Sequence, residues 1–74
     1  MNVELFKVQG VEFLLVPNPK NREEGTLYSR AGKEKEDAVI IPGMGRWTEE
    51  GFGDIKFMKN VHAPAVAKTI KETP

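Results

Sequence analysis

VELFKVQGVEFLLVP, residues 3–17, is the stretch on which the fold of this 74-residue chain turns. Valine, phenylalanine and leucine on both sides of Gln9-Gly10 favour strands, and a glycine in a two-residue connection takes the positive φ that a tight hairpin needs. With Gln9 and Gly10 as the loop, Val8 faces Val11, Lys7 faces Glu12, Phe6 faces Phe13 and Leu5 faces Leu14. That register sets a charge pair and a phenylalanine pair opposite themselves, each worth roughly 0.2–1 kcal/mol. Both faces of the hairpin are apolar. Phe6, Val8, Val11, Phe13 and Leu15 fall on one side and Val3, Leu5, Leu14 and Val16 on the other. An isolated hairpin cannot bury both, so the pattern predicts a central element, the wall of a strongly curled sheet, or a share in an oligomer.

Further along the chain, Pro17-Asn18-Pro19 is expected to stop the second strand, because proline lacks the ladder donor and restricts the residue before it. KNREEG (20–25) reads as an exposed polar connection, TLYS (26–29) as a short strand, AGKEKED (31–37) as a charged connection and AVII (38–41) as the next strand. In GDIKFM (53–58), Ile55 and Phe57 alternate with Asp54, Lys56 and Met58, which predicts a half-buried strand. APAVAKTIKE (63–72) changes period. Pro64 suits a first helical position, and Val66 and Ile70 share a face at i,i+4, so a short helix is expected to dock through those two residues. The fold class that follows is α+β: a small β-rich domain covering residues 1–74, with an N-terminal hairpin, an antiparallel curled sheet and a short C-terminal helix.

A chain this short buries about 60% of the surface its unfolded form would expose, which leaves no room for a second core. It has no cysteine, so no disulfide and no thiolate-held zinc reinforces it. Its 11 basic and 11 acidic side chains balance. No surplus of positive charge marks a nucleic-acid footprint, and acids interrupt the basic residues around Lys33, Lys35 and Arg46. MNVELFKV lacks the basic region and long apolar run of a signal peptide, and no stretch approaches the 18 or so apolar residues of a membrane span. A cytoplasmic protein with no membrane partner is the expectation.

No recognised motif for catalysis or a cofactor stands in the sequence. Gly43-Met44-Gly45 opens like a dinucleotide fingerprint, but Thr48 occupies the third glycine position and the chain is too short for the surrounding architecture. His62 has no thiolates to complete a metal set and no recognised nucleophile motif, and its place before Pro64 suggests a strand-to-helix junction. Glu49, Glu50 and Asp54 read as solvated loop acids. No enzyme activity, cofactor or metal is expected.

GMGRWTEEGFG (43–53) carries four glycines and the only tryptophan. It reads as a wide turn or bulged connection between AVII and GDIKFM, and it projects Arg46 and Trp47, a pair of the kind enriched at protein hot spots. Trp47 is equally suited to plugging a small core. Tyr28 and Arg30 complete the candidate partner-binding set. The expected function is noncatalytic protein interaction, in a regulatory factor or a self-associating structural component, with another protein or the chain itself as partner. The alternative is a single-stranded nucleic-acid-binding domain, in which Tyr28 and Trp47 stack on bases.

Overall fold

In a computed structural model, which describes residues 2–30 and 38–72, five antiparallel strands form one open sheet with a helical segment across one face. The strands are β1 (Glu4–Val8), β2 (Val11–Asn18), β3 (Asn21–Arg30), β4 (Val39–Ile41) and β5 (Gly45–Asp54), in the spatial order β1-β2-β3-β5-β4. The small β-rich α+β class expected from sequence is the one observed. The stretch 31–37, expected as a charged connection, lies outside the described residues.

The first hairpin has the expected register, from Val8 opposite Val11 to Leu5 opposite Leu14. Gln9 and Gly10 both have positive φ, as a two-residue turn of matching twist requires. Phe6 and Phe13 stack with centroids 5.5 Å apart. The odd-numbered face of β2 is the core: Val11, Phe13 and Leu15 are buried together with Leu27, Met58, Ala63 and Ala67, and Val66 and Ile70 pack against them as expected.

Pro17-Asn18-Pro19 stops β2 as expected, at Asn18: Pro17 is still paired, opposite Gly25, and the register shifts between Pro17 and Asn18. The sheet tolerates the missing donor at this irregular end, and a side chain at 25 would meet the Val16 carbonyl oxygen at 2.9 Å, so the proline and glycine fit as a pair. The turn follows one residue later, where the Asn18 side chain accepts from the Lys20 amide at 3.0 Å. Other boundaries differ from the sequence expectation: Asn21–Gly25 belongs to β3, not to an exposed connection.

The glycine-rich stretch is the largest correction after the helix. Its turn is confined to Pro42–Met44, closed by the Met44 amide donating to the Ile41 carbonyl at 2.8 Å, and Gly45 onward is strand. Gly43 and Gly45 have positive φ, and Gly51 and Gly53 lie in the β5 ladder opposite Leu27 and Gly25.

GDIKFM is not a strand. Asp54 ends β5 and caps a helix, its carboxylate accepting from the Phe57 amide at 3.0 Å. From there α1 (Ile55–Phe57), a π-helical segment (Met58–His62) and α2 (Ala63–Glu72) run on without a break. α2 has the bounds read from sequence, but Pro64 is interior to the continuous helix and His62 sits in its widened turn. The π spacing has a physical basis. Proline cannot donate to the carbonyl four residues back, and the wider turn, with the Ala63 amide on the Met58 carbonyl, brings Met58 and Ala63 onto the same buried side. Lys59 ties the segment to the sheet edge through an ion pair with Glu4 at 2.6 Å.

Candidate functional site

One residue out of step in β5 determines what the other face of the sheet presents. Gly51 stands opposite Leu27 and Glu49 opposite Tyr28, so Glu50 is an extra residue between them. Such a bulge advances the alternation by one, and every side chain before it changes face. Phe52 and Glu49 therefore both point away from the helix, and so does Trp47. The bulge is held from the helix side. His62 Nε2 donates to the Glu50 carbonyl at 2.8 Å, and Ser29 Oγ donates to the Glu50 carboxylate. Gly51 leaves space for this, because a Cβ there would lie 2.9 Å from Nε2.

Ser29, Glu50 and His62 thus meet beneath the helix, although sequence reasoning treated Glu50 as a solvated loop acid. The serine and the histidine are each bonded to Glu50 rather than to one another, so the arrangement joins strand to helix instead of forming a nucleophile and base. The second expected acid, Asp54, is the helix cap. Among the described residues no group of His, Asp or Glu converges on a metal site.

On the face away from the helix the ladder pairs define three rows beyond the terminal pair of Glu24 and Asp54. Val16, Thr26 and Phe52 form the first, Leu5, Leu14, Tyr28 and Glu49 the second, and Lys7, Glu12 and Arg30 the third, with Val39 and Trp47 beside it. Three of the four residues singled out from sequence, Tyr28, Arg30 and Trp47, therefore share this face. Arg46 does not. It precedes Trp47 in β5, pairs with Ile40, and is exposed on the opposite side.

Trp47 fills the core role of the two open to it, being only 2% exposed. Its indole N–H donates to the Met44 carbonyl at 2.9 Å, and the Arg30 guanidinium lies 4.1 Å from the ring centroid. Arg30 also donates to the carbonyls of Met44 and Arg46, so a cation, an indole and a turn carbonyl lock one corner. Gly45 makes room for that guanidinium: a Cβ would lie 2.9 Å from a terminal nitrogen. Tyr28, half-buried at the centre, has its phenol pushed above the ordinary 10.0 by burial and then by the negative charge of Glu49, with a Thr26 hydrogen bond opposing.

Leu14, at the centre of the face, is fully buried, whereas the margins carry exposed apolar side chains. Leu5 is 54% and Phe52 56% exposed, with Val3 and Val39 exposed beside them. Sequence reasoning placed Leu5 on this face but missed Phe52, because the alternation that exposes it depends on the bulge. Opposite, the helix carries exposed Phe57 and Val61. No helix among the described residues is long and apolar enough to cross a membrane. No protein-family model, curated protein or solved structure matches the chain.

Proposed function

We propose that this chain is a noncatalytic protein-interaction module, a regulatory factor or self-associating structural component of the cytoplasm, and that it binds through the sheet face away from the helix. The observation that carries the reading is the exposure of Leu5 and Phe52 on the sheet face away from the helix, at the margins of a centre where Leu14 and Trp47 are buried. An apolar sheet face gains most by packing against another layer, and the two ends of this one, at Leu5 and Phe52, lack it. Tyr28 sits between them, an aromatic with a polar tip of the type favoured at interfaces. Arg30 contributes positive charge at the rim, and the locked Trp47 corner gives the face a rigid end.

A photoreactive residue in place of Phe52, incorporated in the cell that makes the chain, tests this. A discrete protein adduct is expected from position 52 and none from position 61 on the helix. Absence of any adduct from 52 would overturn the reading.

The nucleic-acid alternative has a different site from the one expected, since Trp47 is buried. Its support is the helix, which between residues 55 and 72 carries Lys56, Lys59, Lys68 and Lys71 against Glu72 alone, beside exposed Phe57. Four cations, one of which, Lys59, is already paired with Glu4, and one aromatic make a weak footprint. Titration of labelled single-stranded DNA and RNA at low salt should give weak binding at most. Tight binding that falls steeply with salt and is lost in a Lys56→Glu, Lys68→Glu double variant would replace the protein-binding proposal.

A further inference from the structure

We infer that the outward side of the helix docks on a membrane surface rich in anionic lipid, lying along the bilayer without crossing it. This surface is separate from the sheet face of the proposed function. Phe57, Val61 and Ala65 follow at intervals of four, and all three are exposed, Phe57 at 49% and Val61 at 52%. That spacing sets them in a line along the side of the helix turned away from Met58, Ala63 and Ala67, which face the core. Lys56, Lys68 and Lys71 are exposed on the same segment, while Lys59 is held by Glu4. Glu72 is the one acid between residues 55 and 72. An apolar ridge flanked by lysines is the pattern of a helix seated at a lipid interface.

The charges of the described residues are also sorted across the sheet. Glu12, Glu24, Glu49 and Asp54 stand on the face away from the helix against Lys7 and Arg30, so that face is negative where the helix is positive. A chain with 11 basic and 11 acidic side chains is thus neutral in sum and polar in direction. An anionic surface attracts the helix and repels the sheet face, which selects one orientation and leaves Leu5 and Phe52 turned away from the lipid. Two features favour a bilayer over a nucleic acid. Val61 and Ala65 have no ring to stack on a base, yet both gain by leaving water for the acyl boundary. The cations of the segment are all lysines, point charges that suit a diffuse anionic surface better than the directed pairing arginine provides.

Co-sedimentation with large vesicles is the test, with circular dichroism to verify each fold. Phosphatidylcholine vesicles containing about one-third phosphatidylserine should retain the chain, phosphatidylcholine alone should not, and salt raised from about 0.05 to about 0.5 M should release it. The Lys56→Glu, Lys68→Glu double variant should weaken retention at least about tenfold, because two attractions become repulsions. Phe52→Glu, on the opposite face, should leave it unchanged. Since the chain has no cysteine, Val61→Cys and Phe52→Cys each provide a single site for an environment-sensitive fluorophore. Emission from position 61 should shift to the blue on the mixed vesicles, and emission from position 52 should not. Absence of retention at low salt, equal retention by neutral vesicles, or a blue shift at 52 with none at 61 would overturn the inference. Single-stranded RNA bound more tightly than the mixed vesicles at the same salt would overturn it in favour of a nucleic acid. Protein cross-linking from position 52 is read without vesicles, so the sheet-face proposal stands or falls separately.

Discussion

Removing the Trp47 side chain empties the corner built by Arg30 and the Met44 carbonyl, so two interactions disappear together, the indole N–H bond to that carbonyl and the stacking under the guanidinium. Trp47→Ala should cost about 3–5 kcal/mol in denaturant unfolding followed by circular dichroism. A loss below about 1 kcal/mol would mean that the ring is not the plug its burial indicates. The sequence left this residue between core and hot spot for a definite reason: the direction of its side chain depends on a bulge three residues away. Tyr28 allows a cleaner measurement, because it is the only tyrosine. Its phenol ionises less readily in the fold than in the open chain, since burial and Glu49 both disfavour the phenolate. The unfolded state therefore loses its proton first, and the stabilising difference, full below pH 10, is lost as pH rises through the folded value. Absorbance titration near 295 nm should place the midpoint above 10, and Glu49→Gln should bring it down. An unchanged midpoint in that variant would remove Glu49 as a cause.

Among the elements, the helix shows best where sequence pattern is informative and where it is ambiguous. Residues 53–58 alternate over too short a window to separate a strand from a helix, for Ile55 and Met58 fit an i,i+3 face equally well. The discriminating signal was Asp54, an N-cap type whose carboxylate meets the third amide of the helix. Asp54→Ala should cost about 1 kcal/mol, read from the shift in urea midpoint at constant slope, and Asp54→Asn should recover most of it. Pro64 misled in the other direction. Its missing donor suits a helix start, yet here it is absorbed by the π-helical turn, a device invisible to any fixed period. His62, in that turn, holds the Glu50 carbonyl. His62→Ala should therefore destabilise by roughly 1–3 kcal/mol, the expected cost of leaving a shielded carbonyl without its donor. A smaller effect would mean that water replaces the imidazole.

At the scale of the whole molecule, the α+β class was legible because the first hairpin declares its register locally and α2 declares its period. Strand order was not. β5 follows β4 in sequence but lies between β3 and β4 in space, and no local pattern encodes that insertion. The open face was half legible: Leu5 and Leu14 were assigned to it from alternation, whereas Phe52 required knowledge of the bulge. The overall charge balance was misleading, because four of the chain's lysines gather on the last segment, residues 55–72. That segment also supplies the only cover over Phe13, Leu15 and Leu27 among the described residues. A chain ending at Asp54 should fail to give a cooperative thermal transition, since it leaves that wall of the core in water. A sharp transition in the truncated chain would show that the sheet stabilises itself.

The extra residue at position 50 also makes β5 a reading frame of a second kind. Loss of the single Glu50 codon would preserve the composition of the strand almost unchanged, yet restore strict alternation and exchange the fates of everything between Gly45 and Glu49. Trp47 would turn toward the helix and Arg46 toward the place the indole now fills. The chain should therefore tolerate many single substitutions at Glu49, whose side chain is exposed, far better than the removal of its neighbour. A deletion scan through residues 45–54 would find the boundary between length and identity as the carriers of structural information.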